Sequence, residues 1–272
     1  SHPHRGFETI TATLTGMIDH ADSLGAAGRY GDGETQWMAA GEGVQHAEMF
    51  PLLNEASDNT LDFFQIWLNL PAKSKMVDPY FGMFWDEETP VHVHRDAGEK
   101  ATTIRVVAGD LGDVSALSPP PNSWAAPADN RVAVWVINME VGAHWTLPAD
   151  IAGVNRRLYY YEGEGLAVDH ETVSLLHYLD LNPEAEVALQ AGDQPVKLLL
   201  LQGKPIAEPV AQHGPFVMNT REELQQTFMD YQRTHFGGWP WPDNDQTHGK
   251  TKRRFALYAD GREELPPVVS GS

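Results

Sequence analysis

Residues 2–15 read His2-Pro3-His4-Arg5-Gly6-Phe7-Glu8-Thr9-Ile10-Thr11-Ala12-Thr13-Leu14-Thr15, and a later stretch reads Gln45-His46-Ala47-Glu48-Met49. From Phe7 to Thr15, phenylalanine and threonines alternate with Glu8, Ile10, Ala12 and Leu14, with no proline, which predicts a β-strand. On a strand, side chains two residues apart point to the same face. His2 with His4, and His46 with Glu48, therefore form two same-face pairs. Two neighbouring strands carrying them would converge three imidazoles and one carboxylate on one point. That donor set suits a redox-capable or Lewis-acid transition metal and leaves coordination positions for water or substrate. A closed structural zinc site fits poorly, because such sites are usually cysteine-rich and this chain has no cysteine.

Outward from this stretch the same grammar repeats. Gly16 ends the first strand, and Met17-Ile18-Asp19-His20 reads as the next. Asp22-Ser23-Leu24-Gly25 and Tyr30-Gly31-Asp32-Gly33 are turn clusters. Gln36-Trp37-Met38-Ala39-Ala40 is a further strand, and Gly41-Glu42-Gly43 turns the chain into the His46 strand. Leu61 to Leu70 is a strand that closes the first barrel at Pro71. Short strands between glycine turns predict an all-β sandwich or barrel. Val132–Ile137, Arg157–Glu162 and Lys197–Leu201 repeat the pattern, with Pro119-Pro120-Pro121-Asn122 as a stiff connector. His144, His170, His177 and His213 are scattered there, so no second metal is expected. One helix is predicted near 221–235, where Thr220 and Glu223 form a capping box and Leu224, Phe228 and Tyr231 share a face. His92-Val93-His94 has no matching partner pair and reads as a loop or edge strand. Trp239-Pro240-Trp241-Pro242 reads as an apolar clamp over the second barrel.

Two ordinary domains fit 272 residues. The net charge of −19 opposes phosphate-backbone binding, which needs concentrated Lys and Arg, so direct nucleic-acid binding is not expected. Lys250-Thr251-Lys252-Arg253-Arg254 is the densest basic run, and reads as a solvated turn or an ion-pair partner for the acidic body. Without cysteine, disulfides and thiol catalysis are excluded, which is compatible with a cytoplasmic location. No apolar run reaches membrane-spanning length, so no membrane association is expected.

The run His2-Pro3-His4-Arg5-Gly6-Phe7-Glu8-Thr9, then Asp22-Ser23-Leu24-Gly25, then Gln36 to Glu48, resembles the pirin family of the cupin superfamily. Gly214-Pro215-Phe216-Val217-Met218-Asn219-Thr220-Arg221-Glu222-Glu223 resembles the pirin second domain. The resemblance implies an all-β bicupin, two tandem cupin β-barrel (jelly-roll) domains with one C-terminal helix. It implies one mononuclear metal, usually Fe(II), in the first barrel and none in the second. Manganese, nickel, copper, cobalt and zinc remain alternatives. By position, His2, His4, His46 and Glu48 are the ligands, and Glu8 is either a substrate-facing acid or a solvent-facing strand residue. The division expected is 1–104 for a metal-binding cupin domain, 105–131 for a linker and connecting strand, 132–235 for a metal-free cupin domain, and 236–272 for a Pro/Gly-rich tail. Pirins carry strands before the His-Pro-His block, so upstream residues are expected to complete the first barrel.

Two functions follow from the resemblance. The first is a quercetin 2,3-dioxygenase-type enzyme that opens a flavonol ring with O2, with Glu48 or Glu8 accepting the 3-hydroxyl proton. Phe7, Met17, Trp37 and Met38 would wall its pocket, or else pack the barrel core. The second is an iron-dependent, redox-sensing regulator that binds a protein partner.

Overall fold

The computed structural model describes residues 1–268. Short β-formers between glycine turns fold into two units, the first made of Ser1–Glu88, Pro120–Trp124 and the chain from Ile206 onward, the second of Thr89–Pro119 and Ala125–Pro205.

The first unit has eight strands in its N-terminal part: β1 His2–His4, β2 Phe7–Thr15, β3 Met17–Asp22, β4 Ala27–Gly31, β5 Thr35–Ala39, β6 Val44–Met49, β7 Asp62–Asn69 and β8 Tyr80–Phe84. One sheet runs β1-β6-β3-β4 and continues through Phe255–Leu257 and Glu263–Glu264; the other runs β7-β2-β5-β8. All of the pairings are antiparallel. The sheets meet through Thr11, whose hydroxyl donates to Glu48, and through Tyr30, whose hydroxyl donates to Gln36. Phe7, Thr9, Thr11 and Thr13 thus face the barrel interior, and alternation sends Glu8, Ile10 and Ala12 to the other side of β2.

The single α-helix among the described residues, α1 Arg221–Thr234, starts as its sequence predicts. Thr220 Oγ1 accepts from the Glu223 amide at 3.1 Å and Glu223 Oε2 accepts from the Thr220 amide at 2.8 Å. Its apolar stripe of Leu224, Phe228 and Tyr231 packs with Phe216, Met218 and Phe236.

In the second unit, six strands form one sheet, ordered His177–Asp180, Asn155–Glu162, Val196–Gly203, Ala133–Met139, Ala101–Ala108 and Val91–Arg95. Four short strands form the other, and side chains including Trp135, Leu158, Leu189 and Leu198 fill the space in one apolar cluster. His92 and His94 lie on the edge strand of the larger sheet.

The units do not divide where the sequence suggests. Residues 89–104 go with the second unit, because Val91–Arg95 pairs along Ala101–Arg105. The helix and the tail go with the first. Phe255, Ala256 and Leu257 pair with Arg29, Gly28 and Ala27 of β4, and Trp241 Nε1 donates to the Asp22 carbonyl at 2.7 Å. The tryptophan-proline segment is therefore a strap on the first barrel, not the second. Such long-range pairing leaves no local trace in composition. The basic run does find the acidic body: Lys250 pairs with Glu55, Arg253 with Glu263, and Arg254 with Glu34 and Glu87. No helix among the described residues is long and apolar enough to cross a membrane.

Candidate metal centre

β6 lies between β1 and β3, with His46 opposite His2 on one side and opposite Asp22 on the other. Residues directly opposite in an antiparallel pair share a face. The i, i+2 rule adds His4 and Glu48 to that face, and His20, opposite Glu48, joins them. The ligand atoms of His2, His4 and His46 lie within 4.8 Å of one another, the one cluster of this kind found among the described residues. His46 Nε2 and His2 Nε2 are 3.0 Å apart. The His4 ring lies edge-on to Phe7, with centroids 5.0 Å apart, and to Trp67, at 5.6 Å.

Burial sets the charge state of these rings. It pushes His4 down to about 3, with the charge of His2 adding to the effect, and it pushes His46 well below the ordinary histidine range. His2 is lowered too, again chiefly by burial, against the pull of Glu48. Neutral imidazoles keep a lone pair for a cation. His4 Nδ1 faces the Pro215 carbonyl at 3.4 Å, and His4 Nε2 is buried without a partner. A donor atom left without a partner, beside two others aimed at a common point, fits a metal ion.

The sequence pairs converge as expected for the three histidines. Glu48 shares their face but lies outside the tight cluster: Oε1 accepts from Thr11 Oγ1 at 3.2 Å and Oε2 from Gln65 Nε2 at 2.6 Å. Glu8 does not face the site. It projects to the opposite side of β2, where Oε1 accepts from Trp37 Nε1 at 3.3 Å and Oε2 from Ser123 Oγ at 2.6 Å. It is fully buried, and burial pushes its carboxyl up to about 7 against those two hydrogen bonds. Trp37 shares that outer face, so it does not wall a pocket at the histidines. Phe7 does stand beside them, and Met38 is buried on the interior face. Met17 lies apart, lining a cavity of about 240 Å³ with Phe50, Pro51 and Leu61.

The ligand strand is anchored by residues between His4 and β2. Arg5 donates to the Glu42 carbonyl at 2.5 Å and to Asp230 Oδ2 of α1 at 2.9 Å, and its guanidinium lies 4.5 Å over the Phe236 ring. Gly6 has φ +83°, and a Cβ there would come within 2.1 Å of the Val217 carbonyl oxygen, so only glycine fits. Buried Lys75 donates to the Gly6 and Val217 carbonyls at 2.8 and 2.9 Å. His20 and Asp22 escaped the sequence reading as site residues, although His20-Ala21-Asp22 repeats the i, i+2 spacing of the two recognised pairs.

Known proteins agree with this architecture. Residues 1–68 match the Pirin family, and residues 134–237 match the pirin C-terminal cupin domain. A pirin-like protein of Caulobacter vibrioides is 38% identical over 235 residues, 86% of this chain and 79% of that protein. The crystal structure of quercetin 2,3-dioxygenase from Acinetobacter baumannii superposes with a TM-score of 0.73 at 31% identity, covering 87% of this chain and 78% of that one. Bacterial pirin YhhW from Escherichia coli, in complex with nickel(II), shares the fold at 18% identity and a TM-score of 0.51, over 75% of each chain. A first barrel with a histidine cluster on its inner face, a second filled with apolar side chains, and relatives at this level of identity place the chain in the pirin family of bicupins.

Proposed function

We propose that His2, His4, His46 and Glu48 hold one transition metal, with Fe(II) the first choice, and that the protein oxidises a flavonol-type substrate with O2. The observation that carries this reading is the convergence of two buried imidazoles, His4 and His46, and the exposed His2 within 4.8 Å on one face. The likeness to the Acinetobacter baumannii quercetin 2,3-dioxygenase supports the reaction class. When bound, the metal would supply a Lewis-acidic, redox-capable centre with positions open to oxygen donors.

The chain's own residues do the rest. Glu48, fixed by Thr11 and Gln65, retains carboxylate lone pairs for the cation and for the proton of an acidic enol hydroxyl. Removing that proton makes the flavonol electron-rich and so reactive towards O2. Phe7 and Trp67, with ring centroids 4.3 Å apart, offer an aromatic wall beside His4, and Trp67 is 43% exposed, at the open end of that wall. Buried Phe7 keeps water from the inner side of His4. We place the protein in the cytoplasm, which suits a chain without cysteine.

The test is anaerobic purification with elemental analysis, followed by oxygen uptake with quercetin. Stoichiometric metal and quercetin-dependent O2 consumption, both lost in His46→Ala, are expected. Metal-loaded wild type that consumes no oxygen with quercetin would overturn the enzyme reading.

A further inference from the structure

A third same-face pair, His20 and Asp22, stands behind His46, and metal binding as described makes no use of it. His20 is 0% exposed and Asp22 2%. His20 Nε2 lies 3.3 Å from Asp22 Oδ2. The other Asp22 oxygen accepts from the Leu24 and Ala26 amides, both at 2.9 Å, so the carboxylate is pinned by its turn. With Asp22 Oδ2 as the acceptor, His20 donates from Nε2, which leaves Nδ1 as the second ring nitrogen. That Nδ1 is buried and has no hydrogen-bond partner.

His46 shows the complementary deficit. Its Nε2 faces His2 Nε2 at 3.0 Å, and its Nδ1 is buried without a partner. A metal-ligating histidine nearly always donates its second ring N–H to an acceptor. His4 has such an acceptor in the Pro215 carbonyl. For His46 the neighbouring ring is that of His20, with centroids 5.5 Å apart and planes at 50°. Phe81 stacks on His20 at 5.0 Å and 18°, which fixes the plane of the ring. Leaving a buried polar atom unpaired costs about 1–3 kcal/mol. Here two such atoms sit on adjacent buried rings, one lacking an acceptor and the other a donor.

We propose that Asp22, His20 and His46 form a relay in which Asp22 holds the His20 proton on Nε2 and His20 Nδ1 accepts from His46 Nδ1–H. One bridging water closes the gap between the nitrogens. The relay keeps His46 Nε2 unprotonated on the side of His2 and His4. His20 and Asp22 are thus positioning residues that act through His46, and none of the ligand pairs recognised in the sequence includes them. The relay is a property of the metal-free protein, and only its effect on affinity rests on the metal reading above.

The experiment is imidazole ¹⁵N NMR of the metal-free full chain, with nickel(II) titration as a separate arm. Wild type is expected to show His46 protonated on Nδ1 and bare on Nε2. Asp22→Asn keeps a carbonyl oxygen for the Leu24 and Ala26 amides but presents N–H to His20. It should move the His20 proton to Nδ1 and drive His46 towards the Nε2–H form, with the His4 signals unmoved. His20→Phe should lower nickel(II) affinity about 10- to 100-fold, and His20→Gln, whose carbonyl can still accept, should recover part of that loss. Wild-type His46 protonated on Nε2 would overturn the relay, as would a folded Asp22→Asn variant with the His46 tautomer unchanged. Wild type with the expected tautomer but no nickel(II) binding would sink the metal reading and leave the relay standing.

Discussion

In the second unit, Ile104, Trp135, Ile137, Leu158, Leu198 and Leu200 meet in one apolar core, and its buried polar residues are Thr89, Thr102, Arg156 and Gln202. In the first unit the inward faces of β2, β3 and β6 carry Thr9, Thr11, Thr13, His20, Asp22 and His46, all buried. The strand lengths and turns of the two are alike. Their interiors differ because each inward position of a strand can be given either to packing or to chemistry, and not to both. Polar groups inside a barrel are tolerated when partnered. The first barrel leaves several of its own without a partner, Thr9 and Thr13 hydroxyls, His20 and His46 Nδ1, and His4 Nε2, the last of them in the proposed ligand cluster. Dry packing fills one unit, and positioned lone pairs line the proposed site in the other.

The sharpest way to break this contrast is Asp19→Asn. Asp19 accepts from Arg29 through both oxygens, at 2.6 and 2.7 Å, and both residues are buried. Leaving Arg29 uncompensated should destabilise the protein by about 3–5 kcal/mol in chemical unfolding. A loss below about 1 kcal/mol would mean that buried charge does little to hold the first unit together. Next, Leu198→Ala in the second unit should cost about 3 kcal/mol, in the usual span for such core truncations, while nickel(II) stoichiometry of the folded protein stays at the wild-type value. Loss of metal in that variant would show that the division of labour is not real.

Glu8 gives a pH-dependent test. Its folded value, about 7, lies above its ordinary 4.5, so between those values the folded chain binds more protons than the unfolded one. This group's contribution therefore falls as pH rises from about 4.5 to 7, and the penalty is complete above 7. Glu8→Gln, with Ser123 switching from donor to acceptor, should raise stability by about 1–3 kcal/mol at pH 8 and by nothing at pH 4. An equal gain at both pH values would show that the effect is packing and not charge. The smallest effect expected is about 1 kcal/mol for Thr220→Ala, which removes the acceptor for the Glu223 amide at the start of α1. Circular dichroism melts would register it, with metal content unaltered.

What was legible in the chain follows from how local each determinant is. The strands, the turns, the capped helix and the shared face of His2, His4 and His46 are set by neighbours within a few residues, and they fold as their patterns indicate. The face of Glu8 is not readable in this way. The chain leaves its strand geometry at Arg5 and Gly6, and that break resets which parity points inward at β2. His20 could be recognised only by noticing that Asp22 lies two residues on, and its meaning depends on β3 pairing with β6. The return of the tail to β4 joins residues more than two hundred positions apart, and no window of sequence records such a pairing.

Arg5 sits between a proposed ligand and the first long strand, yet its carboxylate partner is Asp230, 225 positions away. At typical synthesis rates of about 5–20 residues per second, Asp230 leaves the ribosome roughly 11–45 s after Arg5. The proposed metal-binding strand is thus made well before the helix that supplies its carboxylate anchor. Until then it is held by β6, by the Glu42 carbonyl and by Lys75, without the clamp from α1. A metal held at the proposed site would then be selected under the final geometry, after α1 has docked.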